Sequence, residues 1–521
     1  MTATPAQPFD DACYLALKAR DARFDGRFFT GVTSTGIYCR PVCRVRTPKR
    51  ENCRFFPHAA QAELAGFRPC LRCRPELAPG SGLTHHPAWS MQDASSILAD
   101  QAAAMLDAPH SWPVTAPGIG LLAKRLGISD RHLRRIFEAR FGVPPLRYLQ
   151  TRRLLCAKQL LTDTRLPAAQ VARMSGFASV RRFNAVFLTH YGLNPTQLRQ
   201  RQTAIGAPAP QASLSVTLSY RPPYDVAAML QFFQKRQVTG TEVITLSGTQ
   251  SCLASTLSVM LGGQHLSGWL TACFDAPRCR VRLTVSESLV PALPQVMVSV
   301  RHLLDLDADP LAINAVLHND FPQGDGLRLP GTLDGFALAV RAVLGQQITV
   351  AAARTLCNRL VASFGEPITT PIAGLTRLFP SAQVLAQATG DELGQLGIVK
   401  QRQNAIIALA RAVADEQLTL YPGAPLAPTL RDLMALPGFG DWTAQYIAMR
   451  ALGWPDAFLA GDVALHKALA VQQETHPAKA ALAAASAWQP WRSYAVMRAW
   501  ARLSDAPPSA KPACSTSEYS H

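Results

Sequence analysis

Between residues 119 and 203 apolar positions recur three and four apart, the spacing of helices with one buried face, in two copies of one pattern. Ala123, Gly127, Phe141, Gly142 and Pro145 return as Ala172, Gly176, Tyr191, Gly192 and Pro195, offset by 49 and then 50 residues. One supersecondary unit is therefore expected twice. Each copy reads as a helix, a glycine turn and a second, basic helix: GLLAKRLG-IS-DRHLRRIFEARFG, then QVARMSG-FAS-VRRFNAVFLTHYG. Ser129 is the expected N-cap of the first basic helix. Between the copies, PLRYLQTRRLLCAKQLL has helical spacing and predicts a connecting helix. From Leu214 to about Val300 the period shortens, and β-rich runs (LSVTLSY, EVITL, RVRLTV) alternate with helical patterns. Beyond Asp309 the chain is Ala/Leu-rich with helical spacing, and after Ser504 it becomes polar and Pro-containing, a tail expected to be disordered.

Pro, Gly and Ser collect at Ala78–Ser90, Asp107–Gly118 and Ala204–Ser213, which read as loops or linkers. The 521 residues exceed what one core organises, so a multidomain, mainly α chain is expected. Its parts would be a small α+β module over 1–80, an all-α region over 90–203, an α+β domain over 213–312, a helical domain over 313–505 and the tail 506–521. The chain has no apolar run of membrane-spanning length, and the opening MTATPAQPFDDACYLALKAR has no basic start followed by an apolar stretch. A cytoplasmic protein is the expectation. Residues 1–205 hold 29 Lys+Arg against 13 Asp+Glu, a balance of +16 of the total +17. Binding to a polyanion should therefore concentrate in the first two-fifths.

Six of twelve cysteines lie in the first 73 residues. Cys39-x3-Cys43 and Cys70-x2-Cys73 form two close pairs, each able to present two sulfurs to one tetrahedral ion, and zinc suits four thiolates best. Cys13 and Cys53 fall outside this set. Spacing alone leaves open a purely structural zinc site or a zinc thiolate that attacks an electrophilic methyl group. The surrounding segments, FFTGVTSTGIYCRPVCRVRTPKRENCRFF and AGFRPCLRCRPE, resemble the N-terminal domain of the adaptive-response (Ada) DNA repair family. The resemblance implies that Cys39 accepts a methyl group from a DNA methylphosphotriester while it stays on zinc. Turning a thiolate into a neutral thioether removes a charge that repels phosphate, here among Arg40, Arg44, Arg46, Lys49 and Arg50. Methylation should then tighten DNA binding, with Arg40 and Arg46 among the contacts.

The doubled unit resembles the AraC-type regulator domain, including its closing GLNPTQLR. Its recognition helices would run from about Asp130 to Arg140 and from Ser179 to His190, offering Arg131, Arg134 and Arg135, then Arg181, Arg182 and Asn184, to double-stranded DNA. RNA polymerase is the partner that an activator of this type implies.

Farther on, Leu436-Pro437-Gly438-Phe439-Gly440-Asp441 joins two helical segments, so Gly438 and Gly440 can aim backbone N–H groups at a phosphate. Such a helix-hairpin-helix occurs in plain DNA-binding modules as well as in enzymes. From SYRPPYDVAAML through VRAVLGQQITVAAA and LPGFGDWTAQYIAMRALG to WQPWRSYAVMRAW the chain resembles the alkylation-inducible 3-methyladenine DNA glycosylases (AlkA type). By that resemblance Asp462 is the catalytic carboxylate, which stabilises positive charge on the sugar as the N-glycosidic bond breaks. Trp442, Tyr446 and Trp500 would form the base pocket, where aromatic faces attract a cationic alkylated purine. Strand-cutting relatives carry a lysine where this chain has Trp442, so a monofunctional glycosylase is implied, with no organic cofactor. Two departures stand out: the family's apolar wedge aligns with Gln347, and an aromatic after Trp500 is Ala501 here. The competing reading is an AraC-type transcription factor whose glycosylase-like part is a degenerate sensor. No Pro-Cys-His-Arg motif is present, so direct reversal of O6-methylguanine is not expected.

Overall fold

The computed structural model describes residues 8–80, 94–107, 119–203, 214–247 and 250–505; the expected tail and most of the expected linkers lie outside these. The first part is a four-stranded sheet ordered β3-β1-β2-β4, from β1 (Phe29–Val32), β2 (Ile37–Cys39), β3 (Cys53–Phe56) and β4 (Arg68–Pro69). β1 pairs antiparallel with β2 and β3, while β2 and β4 run parallel. Because β2 and β4 run the same way, Cys39 and the segment opening at Cys70 emerge at one end of the sheet. Phe29, Tyr38, Phe56 and Phe67 fill the small core behind it.

Both helix-turn-helix units form as the repeat predicts. Gly127 (φ 68°) and Gly176 (φ 78°) take the left-handed turn that a β-carbon would strain. Ser129 then accepts from the His132 N–H at 3.3 Å and Ser179 from the Arg182 N–H at 3.2 Å, capping the helices Asp130–Phe141 and Val180–Tyr191. The connecting helix Pro145–Asp163 is buried along much of its length, including the polar Thr151, Lys158 and Gln159. It needs partners for these: from the zinc-module segment Glu63 accepts from Thr151 at 2.7 Å, Glu76 pairs with Lys158 and Arg74 pairs with Asp163 at 2.6 Å, while Gln159 donates to the Thr217 carbonyl at 2.8 Å.

The α+β domain is a five-stranded antiparallel sheet ordered β5-β9-β8-β7-β6, from β5 (Leu214–Ser219), β6 (Glu242–Ser247), β7 (Gln250–Leu261), β8 (Gln264–Asp275) and β9 (Arg280–Val285). The β-rich runs mark β5, β6 and β9. The long hairpin β7–β8 had no such mark beforehand; its signal is the Gly262–Gly263 turn, both residues at positive φ (57° and 83°). Cys252 and Cys273, directly opposed across this hairpin, form a disulfide, a role the scattered later cysteines did not reveal. One continuous apolar core joins this sheet (Val216, Leu270, Leu283) to the connecting helix (Leu154) and the second helix-turn-helix (Phe183, Phe187).

Arg221 closes the seam between the first part and this domain. Only 1% exposed, it donates to the carbonyls of Asp25 (2.7 Å), Pro79 (3.2 Å), Gly80 (2.6 Å), Asp307 (2.8 Å) and Ala308 (3.0 Å). A guanidinium stripped of water keeps its hydrogen bonds only where such a fixed set of acceptors replaces it. The remaining residues, from Pro310 to Asp505, are helical and hold two further cores.

Candidate metal centre and candidate active site

The sulfurs of Cys39, Cys43, Cys70 and Cys73 lie within 4.8 Å of one another, with three of the four residues buried. A zinc ion with sulfurs at about 2.3 Å spaces them about 3.8 Å apart, so the set closes on one tetrahedral ion with little movement. The thiols alone are in conflict. A hydrogen bond with Cys43 pushes the Cys39 thiol up, while the same bond draws Cys43 down to about 7. A divalent cation removes that conflict by holding all four as thiolates. The Arg40 backbone N–H donates to the Cys73 sulfur at 3.3 Å, a further contact that favours a charged sulfur.

Around this cluster Arg44, Arg46 and Lys49 are exposed. Arg40 is not: it is 4% exposed, its Nε donates to Asp25 at 2.8 Å and its Nη1 to the Cys73 carbonyl at 3.0 Å. The expectation that Arg40 faces DNA is corrected, because the adjacent turn draws its guanidinium inward to neutralise buried Asp25. Arg50 is likewise engaged, with Asp11 at 3.1 Å. In the double unit Arg131, Arg134, Arg135, Arg181, Arg182 and Asn184 are all exposed on their two capped helices, opposite the buried Leu133, Phe137, Phe183 and Phe187.

In the helical part, the helix Leu426–Met434 leads through a hairpin into Asp441–Arg450. Gly438 (φ 80°) needs the freedom of glycine, whereas Gly440 (φ −96°) does not, and a β-carbon there meets nothing within 4 Å. The outer side of the hairpin is thus open for close approach of a ligand. One turn on, the Trp442 indole N–H donates to Asp462 Oδ2 at 3.0 Å; the Trp500 indole N–H donates to Oδ1 at 3.1 Å. Oδ1 also accepts from the Leu465 N–H at 2.7 Å, so Asp462 caps the helix Val463–Ala468. Three donors from three helices fix this half-buried carboxylate. Trp442 and Tyr446 lie parallel, centroids 5.2 Å apart with planes at 6°, one helical turn from each other. The structure therefore gathers the carboxylate, the three aromatics and the hairpin into one place.

Residues 12–76 match the family described as the metal binding domain of Ada, 122–201 a helix-turn-helix domain, 215–334 the AlkA N-terminal domain and 340–493 the HhH-GPD superfamily of base excision DNA repair proteins. A probable bifunctional transcriptional activator/DNA repair enzyme AlkA from Mycobacterium tuberculosis is 38% identical over 503 residues, 95% of this chain and 96% of that one. The chain belongs to this bifunctional family. DNA-3-methyladenine glycosylase 2 of Escherichia coli is 33% identical over 284 residues, 54% of this chain and 96% of its own length. The activator/repair enzyme AdaA of Bacillus subtilis is 30% identical over 195 residues, 37% of this chain and 85% of its own. The fold and the zinc assignment expected from sequence hold for this family member.

Several residues at the carboxylate pocket escaped the sequence reading. Buried Arg450 donates to the Tyr446 hydroxyl at 2.6 Å and to the carbonyls of Pro330 (2.8 Å) and Gly331 (3.1 Å), and it lies 4.8 Å from the Phe232 ring centroid. Burial alone would raise the Tyr446 phenol; the guanidinium of Arg450, with those of Arg236 and Arg341, outweighs it and holds the phenol below its ordinary range. The spacing Trp442, Tyr446, Arg450, four and four along one helix face, is the signal that could have found Arg450. Phe232 comes from the α+β domain and carries no local signal.

Proposed function

We propose that the chain answers DNA alkylation with two chemistries and one regulatory surface. Cys39 is the methyl acceptor: its thiolate attacks the methyl carbon of a phosphotriester, the S–C bond forms, the C–O bond breaks and a phosphodiester anion leaves. Zinc on Cys39, Cys43, Cys70 and Cys73 keeps the sulfur deprotonated at neutral pH. Arg44, Arg46 and Lys49 then meet the DNA backbone with less opposing charge.

Asp462 serves the second chemistry, excision of alkylated purines of the 3-methyladenine type. As the bond between C1′ and the purine nitrogen breaks, its electron pair leaves with the base, which departs neutral, and the carboxylate stabilises the positive sugar; water then adds to C1′ and releases its proton to solvent. Trp442, Tyr446 and Trp500 provide aromatic faces for a cationic base, and Gly438 and Gly440 approach a phosphate. The double grip of Trp442 and Trp500 on Asp462 carries this reading, since it sets the anion and the aromatic pocket in one fixed relation.

The division of labour is that of the five parts: residues 1–80 for methyl acceptance, 90–203 for promoter DNA through Arg131, Arg134, Arg135, Arg181, Arg182 and Asn184, 213–312 and 313–505 for excision, and 506–521 as a tail. RNA polymerase is the partner in activation, and the cytoplasm is where such DNA is met. Release of methylated purines from treated duplex DNA tests the reading. The wild-type chain should release them and Asp462→Asn should not, with methyl uptake lost only in Cys39→Ser. A wild-type chain that binds methylated DNA without releasing a base would make the helical part a sensor.

A further inference from the structure

We propose that Arg450 and Arg236 are the positive counterpart of Asp462: they set cations at the far end of the pocket, which draw the electron pair of the breaking bond into the departing purine. This rests on the excision reading above. Along the helix Asp441–Arg450 the order of groups is fixed by the pitch. Trp442, bonded to Asp462, stands first, Tyr446 one turn on and Arg450 a second turn on, about 12 Å from Trp442 along the axis. An anion therefore marks one end and a cation the other, with the stacked rings of Trp442 and Tyr446 between them.

The cationic end holds more charge than its own contacts neutralise. Arg450 is 5% exposed, and its donors go to neutral oxygens: the Tyr446 hydroxyl at 2.6 Å and the carbonyls of Pro330 and Gly331 at 2.8 and 3.1 Å. The Arg236 guanidinium carbon lies 3.7 Å from the Phe232 ring centroid, and that of Arg450 lies 4.8 Å from the same centroid. Neither arginine forms an ion pair with a carboxylate among the described residues, whereas neighbouring Arg341 is paired with Glu242 at 2.7 Å. Burial lowers Arg236 to about 10, which leaves it cationic at neutral pH. Charges withdrawn from water without a counter-ion are costly, and they persist where the field they create is used.

Glycosidic cleavage supplies that use. As the bond breaks, the sugar gains positive charge and the base loses it. Asp462 answers the first change and the guanidiniums answer the second, so the field lies along the direction in which charge moves. The shift is the same for a cationic alkylated purine, which leaves neutral, and for a neutral purine, which leaves as an anion and takes a proton from water. Before cleavage the two differ. The guanidiniums oppose a cationic base, partly offsetting the attraction of the aromatic faces, and leave a neutral base untouched. Both arginines act from behind Tyr446 and Phe232.

Single-turnover base release by the full chain tests this, on duplexes that carry one 7-methylguanine (cationic) or one hypoxanthine (neutral). On the 7-methylguanine duplex Arg450→Met should lower the saturating rate constant about tenfold and, at the same time, lower the half-saturating protein concentration about threefold. On the hypoxanthine duplex the rate constant should fall likewise, with half-saturation unchanged; if the wild type leaves hypoxanthine in place, the 7-methylguanine arm decides alone. Arg450→Lys keeps the charge and loses the fork that holds Pro330 and Gly331, and it should stay within about threefold of the wild-type rate. The thermal midpoint reports folding. Where Arg450→Met fails to fold, Arg236→Met, on the other domain, carries the test with the same expected pattern. A folded variant that releases 7-methylguanine within twofold of the wild-type rate would overturn the proposal and leave excision standing. A slower rate joined to weaker binding, or a loss in Arg450→Lys as deep as in Arg450→Met, would overturn it too, marking a framework role. Release of neither base by the wild type would sink the excision reading itself.

Discussion

Cys39 and Asp462 are positioned by opposite means. Cys39 closes a strand end, and its three companion thiols come from turns that a single ion must gather. Asp462 caps a helix and is gripped by two indoles on two further helices. The difference follows the chemistry proposed for each. A methyl acceptor needs sulfur kept anionic, which a cation does well, and it reacts once. An excision site must return to the same geometry after each turnover, which rigid helices do well.

If that contrast is right, the largest effect is at Asp462. Replacing it with Asn should lower the base-release rate by about 10³-fold, the scale of losing one preorganised electrostatic group, while zinc content stays at one per chain. A loss of zinc in the same variant would break the contrast. Next comes Arg221→Met, which strands five carbonyls, three of them buried, and should cost about 3–5 kcal/mol, read as a lower thermal midpoint shared by the zinc module and the α+β domain. Two separate unchanged transitions would show that the seam is not structural.

Acid should strain both regions alike. Burial holds His58, packed on Phe141, and His302, bonded to the Arg450 carbonyl at 2.9 Å, down to about 4. Below pH 6.5 the unfolded chain takes up protons that the folded chain refuses. Stability is therefore complete above 6.5 and falls as pH drops toward 4, by on the order of 1 kcal/mol per histidine near pH 5. Thermal unfolding at pH 7 and pH 5 checks this, and His302→Gln should blunt the fall. The smallest effect is local: Ser179→Ala removes the Arg182 cap and should cost about 1 kcal/mol, weakening operator binding without touching either chemistry.

What the sequence shows in advance is whatever nearby residues decide together. Cysteine pairs three and four apart, serine caps, turn glycines and the hairpin glycines all act within a few positions, and each was readable. Arg40 was misread because its partner Asp25 lies 15 residues back, and nothing local says that a charged residue beside a metal ligand turns inward. Arg221 binds Asp25 across 196 residues, and the Cys252–Cys273 pair depends on a strand register set by the whole sheet. The positions of Trp442, Trp500 and Asp462 were readable only through resemblance. Their meeting point is a property of three helices packed together.

The closed seam at Arg221 bears on how lesions are found. Modules strung on flexible linkers hunt separately, and one capture raises the local concentration of the other only as far as the linker statistics allow. Here the span from Cys39 to the front of the excision domain is a constant of the molecule. Damage held at Cys39 therefore fixes where the α+β domain stands, instead of leaving it free on a tether.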